Sequence, residues 1–143
     1  MSLTVLFLCT GNSCRSQMAE GWARHLRPDD LEPYSAGTRP QRLDLDAVLV
    51  MREAGVDISS CRPKHVDELE SVDFDVVVTV CDHADEQCPV FPASTIVRHS
   101  GFDDPPKLAA GASRQEALQH YRRVRDEIRE LVANLDEGPS KAR

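Results

Sequence analysis

The sequence has no long apolar run and no excess of positive charge. None of its apolar stretches approaches the roughly 18 residues that a membrane-spanning helix needs, and the N-terminus lacks a basic start and a cleavage site. We therefore expect a cytoplasmic protein without membrane contact. The 143 residues carry a formal net charge of −7, whereas a nucleic-acid-binding surface is usually basic. A nucleic-acid partner is not expected.

The sequence also lacks the cysteine patterns of disulfide-stabilised and zinc-binding proteins. Its cysteines are odd in number, which argues against a static disulfide framework. Only Cys9 and Cys14 have the short gap of zinc ligands, and no second such pair follows, so no metal site is expected. Reactive thiols are the better interpretation of the set, which consists of Cys9, Cys14, Cys61, Cys81 and Cys88.

The chain is long enough for one domain and shows no internal repeat. Apolar runs predict strands that alternate with helices, and such alternation predicts an α/β fold with a parallel sheet. The strands are expected over 3–8, 32–37, 74–80 and 95–99, and the helices over 17–26, 44–54, 66–69 and 113–135. We expect a single domain over residues 1–135, followed by a polar tail over 136–143 that frays.

The segment between the first predicted strand and the first predicted helix is the strongest functional signal. It begins at Cys9 and passes through Gly11 and Asn12, which tolerate unusual backbone dihedrals, to Arg15 and Ser16. Unpaired N–H groups and the helix dipole make such a junction an anion site, and the Arg15 guanidinium fits two oxygens of a tetrahedral oxyanion. Cys9 is therefore expected to be a nucleophile whose pKa falls from about 8.5 to well below neutral, with Ser16 close enough to donate its hydroxyl.

A family resemblance rests on residues 9–21, which read CTGNSCRSQMAEG. The part from Cys9 to Ser16 resembles the phosphate-binding loop of the low-molecular-weight protein tyrosine phosphatases. The longer run is similar to that of the thioredoxin-coupled arsenate reductases on the same fold, and the resemblance extends from Leu3 to Leu135. It implies a three-layer α/β sandwich of the phosphotyrosine phosphatase I type, with a four-stranded parallel sheet of order 2-1-3-4 flanked by helices. It also implies no bound cofactor, and oxyanion binding by Thr10, Gly11, Asn12, Ser13, Cys14 and Arg15.

Cys81 and Cys88 distinguish a reductase from a phosphatase. Reduction of arsenate to arsenite takes two electrons, which two thiols supply by forming a disulfide. The resemblance implies a relay in which Cys9 attacks arsenic, Cys81 attacks Cys9 and Cys88 attacks Cys81, with thioredoxin as the electron donor. If residues 82–88 are helical, the two Cα atoms lie roughly 10 Å apart, too far for a disulfide, so oxidation is expected to unwind this segment. Two unrelated buried cysteines are the alternative.

Asp103 and Asp104 precede Pro105 in a loop after the fourth predicted strand. Displacing an oxygen from a tetrahedral centre requires a proton donor, so a positioned carboxylic acid is needed. The resemblance implies that Asp104 is this acid and leaves Asp103 as the weaker candidate. An ordinary Asp-Pro turn is the alternative.

Some members of the resembling family hold a potassium ion behind the loop, through residues that match Asn12, Glu20 and Ser35 and through an aspartate. An ungapped alignment puts Lys64 at the position of that aspartate. A lysine ammonium there is expected to replace the ion and to tether Glu20 and Asn12. An exposed Lys64 without those contacts is the alternative.

The resemblance implies arsenate as the substrate, with phosphate or sulfate as analogues, and we expect a monomer. A low-molecular-weight phosphatase is the first alternative, although these enzymes typically carry tyrosine after the Asp-Pro pair, where this chain has Pro106 and Lys107. They also lack the Cys81/Cys88 pair. Weak phosphatase side activity is expected in either case. A redox-sensing binding protein, whose thiols switch a partner without turnover, is the third hypothesis.

Overall fold

The computed structural model describes residues 2–81 and 87–136. In chain order it contains β1 (Leu3–Cys9), α1 (Arg15–Leu26), β2 (Leu31–Gly37), α2 (Leu45–Glu53), a 3-10 helix (Val66–Leu69), β3 (Val76–Thr79), β4 (Ile96–His99), α3 (Pro105–Ala109) and α4 (Arg114–Ala133). The predicted helix over 82–88 and the predicted frayed tail lie largely outside the described residues, so both stay predictions. None of the described helices is long and apolar enough to cross a membrane.

The four strands form one parallel sheet in the order β2-β1-β3-β4. The two central strands carry continuous apolar runs, and Val5 to Leu8 in β1 and Val76 to Val78 in β3 are fully buried. Runs of this kind are typical of parallel strands covered on both faces. The predicted α/β sandwich with strand order 2-1-3-4 is confirmed.

Helix α4 begins where its sequence predicts, at a capping box. The Ser113 hydroxyl accepts the N–H of Glu116, and the Glu116 carboxylate accepts the N–H of Ser113. The buried face of the helix includes the predicted Tyr121, Val124 and Ile128. Helix α4 packs on α1, where the Trp22 indole N–H donates to the carbonyl of Arg125 at 3.1 Å. This packing fixes the axis of the helix that starts at the anion loop.

Several predicted bounds differ from the structure by one or two residues, as at the start of α1, and two differences from the predictions have a clear physical reason. The Asp-Pro segment was expected to be a loop, but α3 begins at Pro105, where the fixed φ of proline suits the first turn of a helix. The third strand begins at Val76 and not at residue 74. Just before the strand, the backbone N–H of Asp75 donates to the carbonyl of Thr4, and the Asp75 carboxylate accepts the N–H of Thr4. These two hydrogen bonds take the place of regular pairing between the strands.

Candidate active site

The loops that follow β1, β3 and β4 meet at one edge of the sheet. Together they line a cavity of about 630 Å³. Because all strands are parallel, their carboxyl ends lie at the same edge, which is where ligands bind in open α/β sheets. The lining residues are Cys9, Thr10, Gly11, Ser13, Cys14, Arg15, Gln41, Cys81, Phe102, Asp103, Asp104, Pro106, Lys107 and Leu108.

The anion loop is held by close backbone packing at the end of β2. Asn12 has a left-handed conformation with φ of 50°, which asparagine tolerates better than most residues. Gly37 lies so near that a β-carbon there would stand 2.4 Å from the carbonyl oxygen of Thr10. The backbone carbonyls of Thr10 and Gly11 accept N–H groups from the segment after β2. Among the described residues, no backbone partner accepts the N–H of Gly11 or Ser13, so these donors are available to an oxyanion.

Cys9 lies at the floor of the cavity and is 3% exposed. Its sulfur is 2.8 Å from the Ser16 hydroxyl oxygen and accepts the backbone N–H of Asn12 at 3.1 Å. Burial raises the pKa of the Cys9 thiol, and the hydrogen bonds from Ser16 and Asn12 lower it by less. The prediction that this pKa falls well below neutral is therefore wrong for the structure as described. The physical reason is that desolvation of the sulfur outweighs the donors around it.

Arg15 lines the cavity with Cys9, and its side chain reaches the loop after β4. Its guanidinium donates to the carbonyl of Phe102 at 2.8 Å and lies 3.5 Å from a carboxylate oxygen of Asp104. Asp104 is the N-cap residue of α3, but its side chain makes no capping hydrogen bond and is 41% exposed. Asp103 instead pairs with Arg123 on α4 at 3.0 Å. The side chain next to the cavity arginine is therefore that of Asp104.

Cys81 follows β3 and joins Cys9 at the same cavity. Its sulfur is 3.3 Å from the hydroxyl oxygen of Thr10 in the anion loop, and the residue is 3% exposed. Cys88 is only partly buried and packs on the hydrophobic core. It is not among the described residues that line the cavity. Residues 82–86, which connect the two cysteines, lie outside the described part of the chain.

Glu20 lies behind the loop and is held by two neighbours. Its carboxylate accepts the Ser35 hydroxyl at 2.6 Å and the Arg24 guanidinium at 2.8 Å. The ammonium of Lys64 instead donates to the carbonyl of Arg62 at 3.2 Å. The prediction that this ammonium tethers Glu20 and Asn12 is therefore wrong. Arg24 is four residues after Glu20 on α1, so it reaches the carboxylate along the same helix face.

Lys64 still supports the loop, through its backbone. Its N–H donates to the side-chain oxygen of Asn12 at 3.0 Å. The side-chain oxygens of Asn12, Glu20 and Ser35 are already engaged in hydrogen bonds within the protein. The position that carries an aspartate in potassium-binding members of the family is a lysine here. These residues therefore do not fit a potassium ion. Within the described ranges, no three His, Cys, Asp or Glu side chains form a cluster that could hold a metal ion.

Several residues of the site were missed from the sequence. Gln41 lines the cavity, and its backbone N–H donates to the carbonyl of Gly11 at 2.8 Å. Asp44 accepts the Tyr121 hydroxyl at 2.6 Å, while its own N–H donates to the carbonyl of Ser13 at 2.9 Å. Through its backbone N–H and its carboxylate together, Asp44 thus connects the anion loop, the start of α2 and the middle of α4. The N-cap position of Asp44 is the sequence signal that could have drawn attention to it.

The remaining cysteine of the loop has a packing role. Cys14 is 4% exposed, and burial together with the nearby Asp44 carboxylate raises its pKa well above the usual value. A buried thiol of this kind is inert.

Comparison with known proteins agrees with this fold and site. The sequence profile of the low molecular weight phosphotyrosine protein phosphatase family matches residues 4–141, so the chain belongs to that family. Within it, the chain is 45% identical to an arsenate reductase of Bacillus licheniformis, over 94% of this chain and 95% of the other. It is 48% identical to an arsenate reductase of Shouchella clausii, over 87% and 88% of the two chains.

A solved structure described as an arsenate reductase in the phosphate binding state superimposes with a TM-score of 0.74. The two are 33% identical, with coverage of 94% of this chain and 95% of that one. The resemblance drawn from residues 9–21 is confirmed: the chain groups with the arsenate reductases of this phosphatase family.

Proposed function

We propose that this protein reduces arsenate to arsenite through Cys9, Cys81 and Cys88, with electrons from thioredoxin. The observation that carries the proposal is the common cavity of Cys9 and Cys81 beside an arginine and a carboxylic acid. The arsenate reductases to which the chain is similar give the substrate class. On the family resemblance alone, a monomer in the cytoplasm is the proposed working form.

In the first step, Arg15 and the N–H groups of the anion loop bind arsenate. Burial favours the thiol form of Cys9, so its proton must leave before attack. A dianionic arsenate held beside Arg15 is a base that accepts this proton. The sulfur then bonds to arsenic, and an arsenate hydroxyl leaves as water with a proton from Asp104. The product is a covalent adduct of Cys9 with arsenic(V).

In the second step, the thiolate of Cys81 attacks the sulfur of Cys9. A Cys9–Cys81 disulfide forms, the sulfur–arsenic bond breaks, and its electron pair reduces arsenic(V) to arsenic(III), which leaves as arsenite after taking protons from solvent. Cys81 lies against Thr10, next to Cys9 in the chain, which supports a short path between the two sulfurs.

In the third step, Cys88 attacks Cys81 and frees the Cys9 thiolate. The resulting Cys81–Cys88 disulfide is returned to two thiols by exchange with thioredoxin, which becomes oxidised in turn. The partial exposure of Cys88, in contrast to the burial of Cys81, supports its role as the thiol that the electron donor reaches.

The test follows NADPH oxidation with thioredoxin, thioredoxin reductase and arsenate. C81S and C88S are expected to stop turnover, whereas C61S is the matched control and is expected to keep it, because Cys61 is partly buried like Cys88 but has no part in the proposed relay. Arsenate reduction by the wild type at the same rate without thioredoxin, or full turnover by C88S, would contradict the relay.

A phosphatase activity is the second candidate, favoured by the anion loop, Cys9 and the Asp104 carboxyl, which suffice for phosphoryl transfer. We expect hydrolysis of p-nitrophenyl phosphate to be weak and to survive C81S and C88S. Strong hydrolysis without arsenate reduction would make the phosphatase the main function. Peroxide-driven disulfide formation without arsenate-dependent NADPH oxidation would instead support a redox sensor.

A further inference from the structure

Gln17 is a fully buried polar residue that no step of the proposed reaction uses. It lies in the first turn of α1, directly after Ser16. Its side-chain amide nitrogen donates to both the backbone oxygen and the side-chain oxygen of Asn12, at 3.1 and 3.2 Å. Its side-chain oxygen has no partner among the described residues. An unpartnered buried oxygen is unfavourable, so the donor group is the part of the Gln17 amide that makes favourable contacts.

Chemistry fixes the orientation of each amide in this cluster. The backbone oxygen of Asn12 is an acceptor only, so the Gln17 atom facing it must be the nitrogen. The backbone N–H of Lys64 is a donor only, so the Asn12 atom facing it must be the oxygen. The Asn12 side-chain nitrogen therefore faces the Ser16 hydroxyl oxygen, to which it donates at 2.8 Å.

The orientation of Asn12 limits which way the Ser16 hydroxyl points. The Asn12 amide occupies one lone pair of the Ser16 oxygen, and a Cys9 thiolate can only accept, so the Ser16 proton is directed at the Cys9 sulfur, 2.8 Å away, once Cys9 is ionised. A hydroxyl that donates to sulfur stabilises the thiolate over the thiol. The chain of contacts thus runs from Gln17 to Asn12, from Asn12 to Ser16, and from Ser16 to Cys9.

We propose that Gln17 is a positioning residue that keeps the Ser16 hydroxyl proton directed at the Cys9 sulfur by holding the Asn12 side chain. The inference rests on the proposed function in so far as Cys9 is the nucleophile. Gln17 touches neither the sulfur nor the cavity, since it is absent from the cavity lining and acts through two other side chains. Without its donor, the Asn12 oxygen keeps only the Lys64 N–H, and the asparagine amide gains freedom to turn.

The test measures the acidity of Cys9 directly, without arsenate. The rate of Cys9 alkylation by iodoacetamide is followed against pH by peptide mass spectrometry, first in the wild type and in Q17M. Methionine matches glutamine in length and lacks its donors. We expect Q17M to raise the Cys9 pKa by about one unit, because a hydrogen bond to a charged group is worth one to two such units when it is lost.

A double-mutant cycle separates positioning from packing. S16A is expected to raise the Cys9 pKa by itself, and Q17M is expected to add nothing in the S16A background. V50A is the matched control, because Val50 is equally buried but lies on α2; it is expected to lower stability and leave the Cys9 pKa unchanged. If Q17M does not fold, Q17L removes the same donor without adding a charge, and an upward shift is expected there too.

An unchanged Cys9 pKa in Q17M or Q17L would overturn the inference, and so would a shift that persists in the S16A background. Because the readout is alkylation in the absence of arsenate, it does not depend on turnover. A protein that fails to reduce arsenate but shows the expected shifts would refute the proposed function and retain the inference about Gln17. A protein that reduces arsenate but does not show the expected pKa shifts would support the proposed function and refute the inference about Gln17.

Discussion

Replacing Gly37 with alanine tests whether the anion loop depends on its close contact with the end of β2. A β-carbon at this position would lie 2.4 Å from the carbonyl oxygen of Thr10, 3.0 Å from the backbone nitrogen of Asn12 and 3.1 Å from its β-carbon. Ordinary contact begins at 3.4 Å, so the loop and the strand must separate by about 1 Å, since the closely packed interior leaves no slack. The atom in closest contact is a backbone oxygen, which cannot rotate away as a side chain can.

The expected loss follows from that displacement. Overpacking of this kind costs about 1–3 kcal/mol, which lowers the Tm by about 3–10 °C in a domain of this size. A misplacement of about 1 Å near the reacting groups costs about 100-fold in rate. We therefore expect G37A to fold, to melt earlier, and to lose about two orders of magnitude in kcat/KM for arsenate.

Gly21 supplies the control, because it is another closely packed glycine and lies on α1, the helix that begins at the end of the anion loop. A β-carbon there would lie 2.7 Å from Ile58 and 3.2 Å from Met51, in both cases from the end of a side chain. G21A is expected to change the Tm and keep its rate. The assays are thermal melting and thioredoxin-coupled NADPH oxidation. Wild-type kcat/KM in G37A, or an equal loss in G21A, would refute the reasoning.

Three further predictions concern charge around the loop. Burial raises the pKa of Cys9 in the folded chain above the unfolded-state pKa of 9.0. The resulting contribution to folding stability is therefore fully present below pH 9.0 and is lost as the pH rises through the pKa of the folded state. Alkylation of Cys9 is expected to keep accelerating above pH 9.0; a plateau below about pH 7 would contradict the effect of burial. Exchange of potassium for sodium is expected to leave kcat/KM unchanged, because Arg24 already neutralises Glu20. R24M is expected to weaken phosphate binding, measured by calorimetry, more than K64M; clear potassium activation of the wild type would show that a metal ion binds after all.

Much of the fold could be predicted from local patterns. The continuous apolar runs of β1 and β3 indicate strands covered on both faces, and Ser113 with Glu116 marks the start of α4. The anion loop could also be predicted, because a strand, a short polar segment and a helix start place their donors together whatever the rest of the chain does. These features depend on residues that are neighbours in the sequence.

The contacts behind the loop could not be predicted in this way. An ungapped alignment puts Lys64 near Glu20, but only the folded chain shows that Arg24 reaches the carboxylate first and that Lys64 contributes its backbone. The pKa of Cys9 was predicted in the wrong direction because the donors are local, whereas the desolvation that outweighs them comes from the packing of the whole domain.

The sequence by itself determined the elements, the position of the anion loop and the residue types that carry its chemistry, because propensity, spacing and capping act over a few residues. Tertiary structure alone decided which partners those residues meet. Asp104 faces Arg15 while Asp103 turns to Arg123, and Gln17 supports Asn12 from inside the core. Burial and long-range contacts have no local signature, since they arise only when distant segments pack together.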